Sequence, residues 1–171
     1  MSNKSESEQF LTPLGVFGRY ILEEVKTMKI EWTLYEEEGI DPIDPVGDIT
    51  VTNGQTTIQV EATYLDSWFD ALITGIKGVQ TGSKVTVEIV EEPDLLRFEP
   101  SNGGVKISYK NTAIVVSRID EFIQALKLAA KDFLLRLDQI KGCECNNLLN
   151  LIRDFLNNPS EEWFVPNSRV G

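Results

Sequence analysis

The sequence predicts an α+β fold: a single domain with one antiparallel sheet of about six to seven strands, hairpin plus meander, carrying a long C-terminal amphipathic helix with shorter helices packed on it. Three observations point there. Residues 85–116 hold four short apolar runs separated by EEPD, PSNGG and KNT, connectors made of the residues tight turns need. Asn53-Gly54 stands between two alternating runs, the strongest short-range hairpin signal a chain can carry. Beyond Ser117, Ile119, Phe122, Ile123, Leu126, Ala130, Phe133, Leu134 and Leu137 recur at helical spacing. At 171 residues, 42% hydrophobic and 25% charged, the chain has ordinary globular composition. A domain of this size buries roughly 70% of the surface its unfolded chain exposes.

Residues 1–8 are polar and patternless, and Phe10, Leu14, Phe17, Ile21, Val25 and Met28 then follow at helical spacing. Thr12-Pro13 suits the start of that helix, while Gly15 and Gly18 weaken its first half. Residues 1–27 read as an N-terminal extension, 28–158 as the α+β domain and 159–171 as a C-terminal tail. The domain opens on a strand that alternates Ile30, Trp32 and Leu34 with Glu31, Thr33 and Tyr35. EEEGIDPIDPVGD, with two Asp-Pro steps and two glycines, marks an extended solvated loop.

The Asn53-Gly54 hairpin follows, then a helix on Leu65, Phe69, Leu72, Ile73 and Ile76, capped by Asp66 and ending near Gly78. Strands are expected over 85–90, 95–99, 105–109 and 113–116, paired as an antiparallel meander. The long helix is expected to start on Ser117 and stop at Gly142, before a short helix over 147–156. Leu128 and Leu135 lie off its main stripe, where the final helix is expected to pack, with a second subunit as the alternative.

Several chemistries are excluded. Histidine is absent, which removes His-based acid/base catalysis, His-dependent nucleophilic triads and His-ligated metals. Cys143 and Cys145 are one residue apart, too close for an unstrained disulfide, and they supply two soft ligands where a closed zinc site needs four. GVQTGSK over 78–84 has the wrong spacing for a phosphate loop and leads into a strand rather than a helix. Asp66 and Asp70 share one side of a helix start, which favours interaction with the helix dipole over acid and nucleophile roles. Asp41, Asp44 and Asp48 lack the alternating calcium-loop spacing. No catalytic residue, metal site or cofactor is predicted. Free thiols, and an N-terminal apolar run broken by Thr12, Pro13 and Arg19, lead to an expected cytoplasmic location.

The sharpest feature is charge. Between Lys29 and Lys77 lie ten carboxylates and no basic residue: Glu31, Glu36, Glu37, Glu38, Asp41, Asp44, Asp48, Glu61, Asp66 and Asp70. They account for nearly all of the formal net charge of −11, because the flanking segments are close to balance. Such a field repels nucleic acid and anionic membranes and attracts basic protein surfaces. Tyr35, Glu36, Glu37, Glu38, Asp41, Asp44, Asp48, Asp66 and Asp70 are therefore the candidate partner-binding residues, with Trp32, Tyr64 and Trp68 as further aromatic anchors.

In general character, a small, acidic, single-domain α+β protein with scattered tryptophans resembles the bacterial immunity proteins that neutralise basic toxins. That resemblance covers no aligned residues; it implies a non-enzymatic interaction domain that docks onto a basic protein partner. Two alternatives stand beside it. One is a small-ligand binder or carboxylate-based enzyme with a pocket between sheet and helices. The other is a homo-oligomeric component, pairing as a homodimer through its helical surface.

Overall fold

A computed structural model describes residues 27–37, 39–40, 44–140 and 147–158. The expected N-terminal helix, the Cys143-Glu144-Cys145 connection, the stop at Gly142 and the tail over 159–171 lie outside the described residues.

The chain is α+β, with two antiparallel sheets rather than one. The first contains β1 (Lys29–Leu34), β2 (Val46–Thr52) and β3 (Thr57–Tyr64) in that order. After α1 (Leu65–Gln80) comes the second, β4 (Val85–Val87), β5 (Leu96–Ser101), β6 (Gly104–Tyr109) and β7 (Thr112–Val116). Two helices follow, α2 (Ile119–Asp138) and α3 (Asn147–Asn157). The expected single sheet of six to seven strands, carrying a long C-terminal helix with shorter helices packed on it, is thus corrected: the described residues form sheets of three and four strands and three helices.

The first sheet carries one irregularity, in β3. Gly47 faces Thr63 and Ile49 faces Val60, so Asp48 alone opposes both Glu61 and Ala62, and Ala62 takes a φ of 52°. Beyond this bulge β3 runs straight into α1. The sheets meet through a side chain, Asn53 Nδ2 donating to the Val115 carbonyl at 3.1 Å. The bulge also shifts the alternation of β3, turning Thr63 inward and Ala62 outward.

The remaining differences are also local. The hairpin has a four-residue connection, with only Gly54 at positive φ, and Asn53 Oδ1 accepts the N–H groups of Gln55 and Thr56 at 2.9 and 2.8 Å. Residues 88–90 leave the β4 ladder because Val90 N–H bonds to Ser67 Oγ at 2.9 Å. Tyr64, not Asp66, is the N-cap of α1, and its first N–H, Leu65, goes to the Pro45 carbonyl at 2.9 Å. Arg118, not Ser117, caps α2 without a side-chain bond, and Asp120 and Glu121 sit in its first turn, where the dipole favours anions.

The helices bury their apolar faces in one core. α1 packs on β2 of the first sheet and on β4 and β5 of the second, while α2 packs on β1 and β7. Phe69 stacks on Phe133 at 4.8 Å between ring centres, and Trp32 meets Phe133 edge-on at 5.4 Å. Trp32 also donates its indole N–H to the Ala129 carbonyl at 3.2 Å, tying β1 to α2. Gly75 lets α1 approach β5 closely: a Cβ there would lie 2.1 Å from the Phe98 ring.

Candidate functional site: an acidic cleft at one end of the first sheet

Strand direction determines which carboxylates meet. β1 exits, β2 enters and β3 gives way to α1 at the same end of the sheet, since Leu34 pairs with Gly47 and Val46 with Tyr64. Tyr35, Glu36 and Glu37 leave β1 there; Asp44 and Asp48 flank the entry to β2; Glu61 precedes the turn into α1. Between the end of β1 and the entry to β2 opens a cleft of about 810 Å³, lined by Leu34, Tyr35, Glu36, Glu37, Ile40, Asp44 and Val46 among others.

Asp48 organises this end. Its Oδ1 accepts the N–H of the bulged Ala62 at 3.0 Å and the hydroxyl of Tyr35. That hydrogen bond, then partial desolvation and the charges of Asp48 and Glu61, hold the Tyr35 phenol above its ordinary pKa. Tyr35 stays 43% exposed, so a phenol ring stands at the mouth of the cleft with its hydroxyl oriented by a carboxylate.

The other carboxylates divide into three groups. Glu37, Asp44 and Glu61 are exposed and, among the described residues, have no salt-bridge partner. Glu36 is paired: Arg136 of α2 donates to its Oε1 through Nε at 2.9 Å. Asp66 is withdrawn from the surface, only 4% exposed, with Oδ1 accepting the Ser67 N–H at 2.9 Å. Burial pushes its pKa up to about 6, against the pull of that N–H and with help from the charges of Asp44 and Asp70. Asp70 is half-buried, its pKa raised by burial and pulled back by Lys77.

Glu38 and Asp41 lie outside the described residues. Trp68 and Trp32 are structural: Trp68 is fully buried and Trp32 packs against α2. Tyr64 is half-buried, leaving Tyr35 as the exposed aromatic of this end.

A second polar constellation went unread in the sequence. Trp68 Nε1 donates to Thr63 Oγ1 at 2.9 Å, Thr63 Oγ1 donates to Glu92 Oε1 at 2.7 Å, and the Tyr109 hydroxyl donates to Glu92 Oε2 at 2.9 Å. Each group has a partner, so the network joins β3, α1, the β4–β5 connection and β6. Its one signal was an acid, Glu92, in a turn between apolar strands, which read as ordinary turn chemistry.

Among the described residues, no group of three or more Asp, Glu or Cys is placed to hold a metal ion, and no helix is long and apolar enough to cross a membrane. No family model, curated protein or solved structure matches this chain.

Proposed function

We propose that this protein is a non-enzymatic interaction domain that docks a basic protein surface at the acidic end of its first sheet. One observation carries the reading: Glu36, Glu37 and Asp44 line a cleft fronted by an exposed Tyr35, Asp48 and Glu61 lie at the same end of the sheet, and among the described residues only Arg136 offsets them, on Glu36. Unpaired carboxylates around a concave surface raise local cation concentration and speed encounter with a positive partner. Tyrosine adds contact area at low entropic cost, and here its hydroxyl is already oriented. Asp66 and Asp70 act behind this surface, adding negative potential rather than contact.

Affinity capture tests this reading. Immobilised wild-type protein should retain a basic protein from native cell extract at low ionic strength and release it at high ionic strength. The Glu37→Lys/Asp44→Lys/Glu61→Lys variant should retain none of it. Equal retention by the two proteins would remove the proposal.

A further inference from the structure

The chain contains two Asn-Gly pairs, Asn53-Gly54 and Asn102-Gly103, and the fold holds them differently. Asparagine is a thermolabile residue, and a following glycine leaves the next backbone nitrogen open because no Cβ shields it. At Asn53 every group that deamidation would move is tied. Oδ1 accepts the N–H groups of Gln55 and Thr56 at 2.9 and 2.8 Å, and Nδ2 donates to the Val115 carbonyl at 3.1 Å. The Gly54 N–H donates to Thr52 Oγ1 at 3.1 Å. Asn102 and Gly103 form the two-residue turn between β5 and β6, both exposed and both at positive φ, 44° and 82°. Among the described residues, no hydrogen bond reaches the Asn102 side chain or the Gly103 N–H.

We infer that Asn102 is a site of deamidation, and that the folded hairpin and its bond to β7 protect Asn53 from the same reaction. The Gly103 nitrogen attacks Asn102 Cγ and a C–N bond forms. The bond from Cγ to Nδ2 breaks, and Nδ2 leaves as ammonia with the proton that the Gly103 nitrogen gives up. Water, the only co-reactant, then opens the five-membered imide at either carbonyl, giving aspartate or isoaspartate. Ring closure at Asn53 must first give up all four hydrogen bonds of the Asn53-Gly54 pair, which slows it by at least about tenfold relative to Asn102. The product matters because the turn is held on its other side. The Gly103 carbonyl accepts the N–H of Ile119, the first residue of α2, at 3.4 Å, and a Cβ on Gly104 would lie 1.8 Å from the Val116 carbonyl oxygen. Isoaspartate adds a methylene to the main chain immediately before these contacts, so it pulls the turn off the start of α2. This inference does not rest on the docking proposal.

Peptide mapping by mass spectrometry of the full chain, aged in its folded state at mildly alkaline pH, tests it. The peptide holding Asn102 should gain about 1 Da and resolve into aspartyl and isoaspartyl forms, while the peptide holding Asn53 lags at least about tenfold. Ageing in urea should bring the two rates within about twofold of each other, because unfolding removes the contacts that separate them. Asn102→Gln should abolish the early gain, since a six-membered ring closes far more slowly. The isoaspartyl fraction of the wild type should melt at a lower temperature than the unaged chain; a fraction that melts no lower would overturn the link to α2. Equal rates at the two asparagines in the folded chain would overturn the inference, as would no gain at Asn102 there. A difference that persists in urea would overturn it too, because local sequence rather than the fold would then set it.

Discussion

Tyr109 donates its hydroxyl proton to Glu92 at 2.9 Å, which makes an acid in a turn the keystone between β6 and the start of α1. Glu92→Ala would leave the hydroxyls of Tyr109 and Thr63 without their acceptor, at a cost of about 1–2 kcal/mol, while Glu92→Gln should cost less. Urea unfolding of the two variants checks the order. Burial, and then Glu92, hold the Tyr109 phenol above its ordinary value, so its contribution to stability is complete below pH 10 and falls as pH rises beyond it.

Asp66 works against stability at neutral pH. Its pKa rises from 3.8 to about 6 in the folded protein, so the folded state holds the proton more tightly than the unfolded chain does. The stabilising contribution is complete below pH 3.8 and is lost as pH rises through about 6. Asp66→Asn keeps an oxygen for the Ser67 N–H and removes the buried charge. It should therefore stabilise the protein by about 2 kcal/mol at pH 7 and by little at pH 3.5. Denaturant unfolding of both proteins across that range measures the difference.

Gly75→Ala should destabilise although alanine is the better helix former. A Cβ 2.1 Å from the Phe98 ring forces α1 and β5 apart, at about 1–3 kcal/mol, against about 1 kcal/mol gained in helix propensity. A thermal melt decides it: a lower Tm is expected.

Asp48 separates structure from charge. Asp48→Asn retains an acceptor for the Ala62 N–H and should hold stability within about 0.5 kcal/mol, whereas Asp48→Ala leaves that N–H and the Tyr35 hydroxyl unpaired and should cost about 1 kcal/mol. Chemical denaturation of the pair checks this before either is used in binding work.

What could be read from the sequence was what lies within one element or one turn. The alternation of Ile30, Trp32 and Leu34, the meander from Leu96 to Val116 and the spacing from Phe122 to Leu137 each act over a few residues and match the observed elements. The division into two sheets was not legible, nor was the bulge that opposes Asp48 to two residues of β3, because strand order and backbone register leave little trace in composition. Burial of Asp66 was hidden for the same reason: at the start of α1 it looks like a cap, yet Pro45 and Tyr64 perform that role. The pairing of Glu36 with Arg136 joins residues a hundred apart. The acidic segment was visible as charge; only strand direction brought Glu37, Asp44, Asp48 and Glu61 to the same end.

The most direct test of the docking account is the Kd of the captured basic partner, measured by titration calorimetry from low to high salt. Wild type should be compared with the Glu37→Gln/Asp44→Asn/Glu61→Gln variant. Wild-type affinity should fall about tenfold or more as salt rises, and the variant should bind weakly at low salt with a much flatter dependence. Equal affinities with equal salt slopes would contradict the account.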